Sequence, residues 1–138
     1  MAVWQASFHV VLPGAALPSD YAQRLNLVLP PGTHWRARAE RWGDEDGDMI
    51  DVSAEPPAEM FARFDLRTWR PDLYRRFLAF VEGFGGRLLD AEQNIDVALS
   101  VDAFVAHLHG SRAARFVKDP QAYFEELRRK PIRMPEEP

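Results

Sequence analysis

The chain of 138 residues contains no cysteine. This absence excludes disulfides, thiolate nucleophiles, zinc ribbons and cysteine-bound iron–sulfur clusters, and it suits a reducing compartment. Long apolar runs are also missing, since no stretch approaches the roughly 18 residues that a membrane span needs. The N-terminal segment lacks the basic and apolar regions of a signal peptide. We therefore expect a cytoplasmic protein with no membrane partner.

An excess of positive charge is absent as well. Aspartate and glutamate number 21 against 17 lysines and arginines, which gives a formal net charge of −4. Because proteins bind phosphate backbones through basic surfaces, we expect no nucleic-acid partner. Hydrophobic residues make up 46% of the chain, enough for one domain to fold unaided. We predict a single domain over residues 1–130 and a flexible, proline-rich tail over residues 131–138.

Motifs for metals and phosphates are incomplete. Asp44, Asp46 and Asp48 follow the spacing of a calcium loop, but Met49 stands where that loop requires glycine, and the flanking segments have the alternation of strands. The four histidines lack helical ligand spacing. The glycine-rich segment 83–86 follows a helix, whereas a phosphate-binding loop precedes one. We expect no cofactor, no metal and no catalytic residue, and we interpret the acidic turn as a solvated hairpin tip.

Alternation of apolar and polar residues predicts four strands, in the regions 3–12, 34–42, 49–54 and 60–66. Turn residues 43–48 join the second and third strands as a hairpin, and the fourth strand completes a meander. Short extended pieces at Leu88-Leu89 and at residues 95–97 are further strand candidates. The apolar residues of the strand segments are expected to form the sheet side of the core.

Helical spacing begins after the fourth strand. Leu73, Phe77, Phe80 and Phe84 form one apolar stripe, with Pro71 in the first turn and Gly85-Gly86 at the end. Three further helices are predicted after N-caps at residues 100, 111 and 119. Strands followed by helices indicate an α+β fold, with an antiparallel sheet of about four to five strands and helices packed on one face, in two layers.

The opposite face of that sheet is the candidate functional surface. It is predicted to be polar and rich in arginine, and arginine and aromatic side chains are the types enriched at interface hot spots. A solvated face laced with weak ion pairs is the alternative interpretation. The candidate binding residues are Arg36, Arg38, Trp42, Phe61, Arg63, Asp65 and Arg67.

Several segments carry a resemblance to known proteins. They are the strand segment Ala62-Arg63-Phe64-Asp65-Leu66-Arg67, the helix segment Phe77-Leu78-Ala79-Phe80, Leu88-Leu89-Asp90, and the serine-initiated helix of residues 111–120 that runs into Asp119-Pro120. Over roughly residues 40–127 the chain resembles a group of small uncharacterised bacterial proteins. Some similar small acidic proteins are immunity partners of bacterial toxins, so the resemblance implies that role as a candidate and assigns no functional residue.

Two hypotheses about function follow. The first is a non-enzymatic intracellular protein that binds another macromolecule, most simply another protein, with toxin neutralisation as one specific form; a homodimer is compatible with the sequence. The second is a small-molecule-binding or hydrolytic domain that uses His9, Asp51, Arg63, Asp65 and Arg67 on the open sheet face. A concave pocket at those residues would favour the second, and a flat exposed face would favour the first.

Overall fold

A computed structural model describes residues 2–32 and 39–129, which form an α+β fold. The predicted tail and the candidates Arg36 and Arg38 lie outside these residues. The strands are β1 (Gln5–Val11), β2 (Ala39–Gly43), β3 (Met49–Ser53), β4 (Glu59–Asp65), β5 (Arg87–Asp90) and β6 (Asp96–Val97). The helices are α1 (Tyr21–Asn26), α2 (Pro71–Gly83), α3 (Val101–His109), α4 (Arg112–Lys118) and α5 (Pro120–Arg129). None of the described helices is long and apolar enough to cross a membrane.

The described strands form one antiparallel sheet in the order β2-β3-β4-β1-β5-β6. The predicted β2-β3-β4 meander is confirmed, and β1 pairs with both β4 and β5 in the middle of the sheet. The sheet has six strands instead of four to five, because both short extended pieces after α2 become strands and pair as a hairpin. Asn94, at φ 57°, lies in the tight turn between them.

The core lies on the side of the sheet that the helices cover. Phe8 and Phe64 project from the two central strands, and Phe77 of α2 and Phe104 of α3 pack against them. All four rings are almost completely buried. The predicted apolar stripe of α2 therefore faces the sheet as expected.

Side chains at the predicted helix starts satisfy backbone groups that a helix leaves unpaired. The Ser100 hydroxyl accepts a hydrogen bond from the Ala103 N–H, and Ser111 does the same for Ala114. Asp119 caps α5 through the N–H of Ala122 at 3.0 Å. The caps at Ser100, Ser111 and Asp119 are confirmed.

Candidate binding face on the open side of the sheet

Odd-numbered residues of β1, β3, β4 and β5 point away from the helices, and we call this surface the open face. Successive side chains of a strand alternate between the two faces, and residues paired across strands share one face. His9 pairs with Phe61 of β4 and with Leu89 of β5, so these three side chains form a row across the centre of the sheet. Asp51 of β3 continues the row beyond Phe61.

The centre of this row is apolar and accessible. The rings of His9 and Phe61 stack with their centroids 4.8 Å apart and their planes 18° from parallel. Phe61 is 41% exposed, and Leu89 beside His9 is half-buried. An exposed phenylalanine in the middle of a sheet leaves apolar surface in contact with water. A bound partner would cover this surface, and its burial would favour binding.

Charged groups surround the apolar row. Arg41 of β2 donates to both carboxylate oxygens of Asp51, at 2.7 and 3.0 Å, and this hydrogen bonding raises the pKa of the Arg41 guanidinium. At the opposite edge Arg87 pairs with Asp96 at 3.0 Å. The Arg41–Asp51 pair is largely buried and the Arg87–Asp96 pair is exposed, so the row ends in a charged pair on each side.

Arg63 differs from these arginines. It lies opposite Ser7 of β1 and Met49 of β3, one row away from Phe61. Its Nη1 lies 3.9 Å from the Met49 sulfur, and no carboxylate pairs with it among the residues that the structure describes. Its guanidinium, half-buried beside the exposed ring, is therefore able to bind an anionic group of a partner.

Asp65 and Arg67 form a closed cluster at one corner of the sheet. The Arg67 guanidinium donates to both Asp65 oxygens and to the Asp46 carbonyl, and it lies 4.0 Å from the centroid of the Trp4 ring. Hydrogen bonding to Asp65 raises the pKa of Arg67. The cluster joins β4 to the β2–β3 turn, and its guanidinium already has several partners. These two predicted binding residues therefore act first as a structural link.

The same turn covers one end of the open face. The alternation of residues in β1 places Gln5 on the open face, where an exposed side chain is expected, yet Gln5 is fully buried. Its amide nitrogen donates to the carbonyls of Glu45 and Gly47 at 3.0 and 2.6 Å. The acidic turn is thus folded onto β1 and is more than a solvated tip. Across the two described segments, no three histidine, aspartate or glutamate side chains are grouped to hold a metal ion.

The prediction for Trp42 was wrong. Trp42 pairs with Ile50, so it belongs to the core face, where it is only 4% exposed. Its indole N–H donates to Asn26 Oδ1 at 2.8 Å, and its ring meets Tyr21 of α1 edge-on. The polar neighbour Glu40, which shares its face, is accommodated by a hydrogen bond from the Tyr21 hydroxyl. Because this hydrogen bond satisfies its carboxylate, the charged Glu40 can lie on the helix side of the sheet, on the same face as the buried Trp42.

Sequence reasoning missed the contribution of β5 to the open face. Leu88 and Leu89 are adjacent apolar residues with no alternation, and only pairing with β1 shows that Leu88 enters the core while Leu89 faces outward. In the sequence, the only indication of a strand here was that Leu88 and Leu89 directly follow the glycines that end α2. The face is therefore wider, and its centre more apolar, than the arginine pattern indicated.

Four cavities of about 370–570 Å³ lie beside α1 and α2 and at the β2–β3 turn. His9, Asp51 and Arg63 line none of these four. Asp65 and Arg67 line one of them, together with residues of the turn. The groups named for a small-molecule or hydrolytic site are thus divided between the centre of the open face and its Asp65–Arg67 corner.

A partly buried His–Asp pair is a further arrangement with catalytic chemistry among the described residues. His107 Nε2 lies 2.6 Å from Asp90 Oδ2, on the helix side of the sheet. Burial alone would raise the pKa of Asp90, but N–H donors of Gln93 and Glu92 together with His107 lower it below its ordinary value. No serine or threonine hydroxyl is hydrogen-bonded to His107 among the described residues, so the pair ties α3 to the β5–β6 turn.

Comparisons of the chain with protein-family models, with curated proteins and with solved structures gave no match.

Proposed function

We propose that the protein is a non-enzymatic, cytoplasmic protein that binds another protein through the open face. The observation that carries this proposal is the row Leu89, His9 and Phe61, an accessible apolar centre between the charged pairs Arg41–Asp51 and Arg87–Asp96. Protein interfaces have this anatomy, with an aromatic centre and a polar rim.

The size of the surface agrees with such a role. Strands about 4.8 Å apart make the sheet about 24 Å wide from β2 to β6, and strands that average about five residues make it about 16 Å long. The resulting area is on the order of 400 Å², about half of the roughly 800 Å² that each partner contributes to a standard interface. Loops at the rim can supply the rest.

Toxin neutralisation is the specific form of binding that we propose, and the resemblance to small acidic immunity proteins supports it. An immunity protein acts by occupying a surface of its toxin, so it needs a stable face and no catalytic group. The alternative, a small-molecule or hydrolytic site on the same face, has less support because His9, Asp51 and Arg63 line none of the four cavities.

The test compares binding by three variants. The tagged protein is used to capture partners from its native host, and a captured partner is then purified and titrated. Phe61→Ser and Arg63→Glu should each weaken binding by about 2 kcal/mol or more, the level of an interface hot spot. Arg75→Glu, on the exposed side of α2 and paired with Asp72 at 2.8 Å, is the matched control and should bind like the wild type.

Two outcomes would contradict the proposal. Equal binding by wild type, Phe61→Ser and Arg63→Glu would exclude the open face. Concentration-dependent self-association that Phe61→Ser abolishes, with no other partner, would make this face a homodimer interface. If the protein neutralises a toxin, its co-expression with a toxin encoded beside its gene should restore growth of the cells. The Phe61→Ser variant should remain folded but give no such protection.

A further inference from the structure

A second surface lies on the helix side of the molecule, in a groove between α2 and the segment that follows α1. Val28 of that segment is buried, and its carbonyl accepts a hydrogen bond from Arg76 Nη2 at 3.2 Å. Beside this contact lies a cavity of about 370 Å³, whose walls include Leu27, Ala79 and Gly83. The groove is separate from the open face, because α2 covers the opposite side of the sheet.

A second cavity lies next to this one, toward the start of α2. The second cavity has a volume of about 570 Å³, shares Val28 and Arg76 with the first, and extends to Trp69 and Pro71. The two cavities therefore lie end to end along α2 from Pro71 to Gly83, with the Arg76–Val28 hydrogen bond between them, and together they make up the groove. At about 1.5 Å per residue this helix is about 18 Å long. Such a length fits a peptide segment better than a compact small molecule.

The groove is lined by apolar side chains and by arginines. Leu27 is 75% exposed, the highest exposure of any large hydrophobic residue that the structure describes, and Trp69 is 36% exposed. Arg24, Arg70 and Arg76 line the groove. Arg24 is paired with Asp20, and Arg70 lies 3.7 Å from Asp48.

Arg76 is the arginine that can accept a new anion. Among the described residues its polar contact is the Val28 carbonyl, and no carboxylate pairs with it. Asp72, the acidic residue lining the groove, is paired with Arg75 at 2.8 Å. In a protein of net charge −4, a groove with three arginines and one paired aspartate is an exception, and it is complementary to an acidic ligand.

We propose that this groove binds an acidic amphipathic peptide segment of a partner protein. An apolar side chain of the peptide occupies the cavity beside Leu27, Ala79 and Gly83, and a neighbouring carboxylate pairs with Arg76. Charge-assisted hydrogen bonds to the guanidinium give the peptide its orientation, and burial of Leu27 contributes the apolar part of the affinity.

The structure offers blocking variants that should leave the fold intact. A Cβ at Gly83 meets no atom within 4 Å, and Gly83 ends a helix, where glutamate is a better helix former than glycine. Gly83→Glu should therefore fold, narrow the groove and repel an acidic peptide. Arg76→Glu reverses the charge directly. Arg115→Glu is the matched control, because it makes the same charge change at an exposed arginine of α4 that lines neither cavity.

The experiment measures fluorescence polarisation of labelled helix-forming peptides of about 12 residues, the length that matches the groove. One peptide carries two leucines, four residues apart, among glutamates; the second carries lysines in place of the glutamates; the third carries alanines in place of the leucines. The wild type and the Arg115→Glu variant should bind the first peptide. Arg76→Glu and Gly83→Glu should weaken it at least about tenfold, and the other two peptides should bind far less tightly.

The result that would overturn the proposal is equally specific. Failure of the wild type to bind the acidic peptide, equal binding of the lysine peptide, or unchanged binding by Gly83→Glu would each exclude it. Circular dichroism of each variant separates a lost site from a lost fold, and Gly83→Glu keeps the test decisive if Arg76→Glu does not fold. Phe61→Ser should bind the acidic peptide like the wild type, so failure of the open-face proposal is distinguishable from failure here.

Discussion

Phe104 lies at the meeting point of the sheet and its two principal helices, and replacing it with alanine tests how the core is held together. Its ring is fully buried and has centroid distances of 5.1 Å to Phe8, 5.3 Å to Tyr74, 5.6 Å to Phe64 and 6.3 Å to Phe77. Truncation of a buried phenylalanine costs about 3–5 kcal/mol. Loss of four aromatic contacts places Phe104→Ala at the upper end, at about 4–5 kcal/mol.

This cost would remove much of the stability of an ordinary domain, which is about 5–15 kcal/mol. The assay is urea unfolding followed by tryptophan fluorescence and circular dichroism. With a slope of about 1.5 kcal/mol/M, the midpoint should fall by about 3 M. Alanine is the stronger helix former, so any loss arises from tertiary packing and not from α3 itself.

Phe124→Ala is the matched control, because Phe124 of α5 is half exposed and its ring contacts are with Phe116 and Tyr123 of the terminal helices. It should cost less than about 1 kcal/mol. A cost below about 1 kcal/mol for Phe104→Ala, or equal costs for both variants, would refute the conclusion that α3 anchors the core.

The remaining expectations concern buried polar groups and are checked by thermal melting between about pH 3 and 8. Tyr74→Phe should keep or raise the melting temperature, since the fully buried Tyr74 hydroxyl makes no hydrogen bond of ordinary geometry with the described residues; a clear loss would mean that the backbone of Arg70, the nearby polar group, satisfies this hydroxyl. Burial raises the pKa of Asp48, so stability should fall as pH rises above about 4 through the folded pKa, and Asp48→Asn should reduce that fall. The lowered pKa of Asp90 has the opposite sign: its contribution is present above about pH 4 and is lost as pH falls through the folded pKa. Asp90→Asn should therefore flatten the acid limb of the curve.

Local signals were sufficient for much of the fold. Alternation in β1 and β4 placed Phe8 and Phe64 on one side, and the helical stripe placed Phe77 against them, because burial of apolar surface requires these side chains to meet. The caps at Ser100 and Ser111 were also local, since a cap hydroxyl bonds to a backbone N–H three residues away.

The candidate site was less predictable. Phe61 and Arg63 follow from the alternation of β4, whereas Trp42 was assigned to the wrong side because alternation orders faces within one strand and does not relate that strand to its neighbours. The pairing of Trp42 with Ile50 settles its side. Gln5 illustrates the same limit, because its burial depends on carbonyls some 40 residues away.

The sequence by itself therefore determined the class of fold, the core stripe of α2 and the polar alternation of β4, since each depends on periodicity within one segment. Tertiary structure decided the position of β1 between β4 and β5, the row formed by Leu89, His9 and Phe61, and the groove beside Arg76. Those features are contacts between segments distant in the chain. Their physical cause is the register of strand pairing and the packing of helices, neither of which is recorded in the local pattern of any one segment.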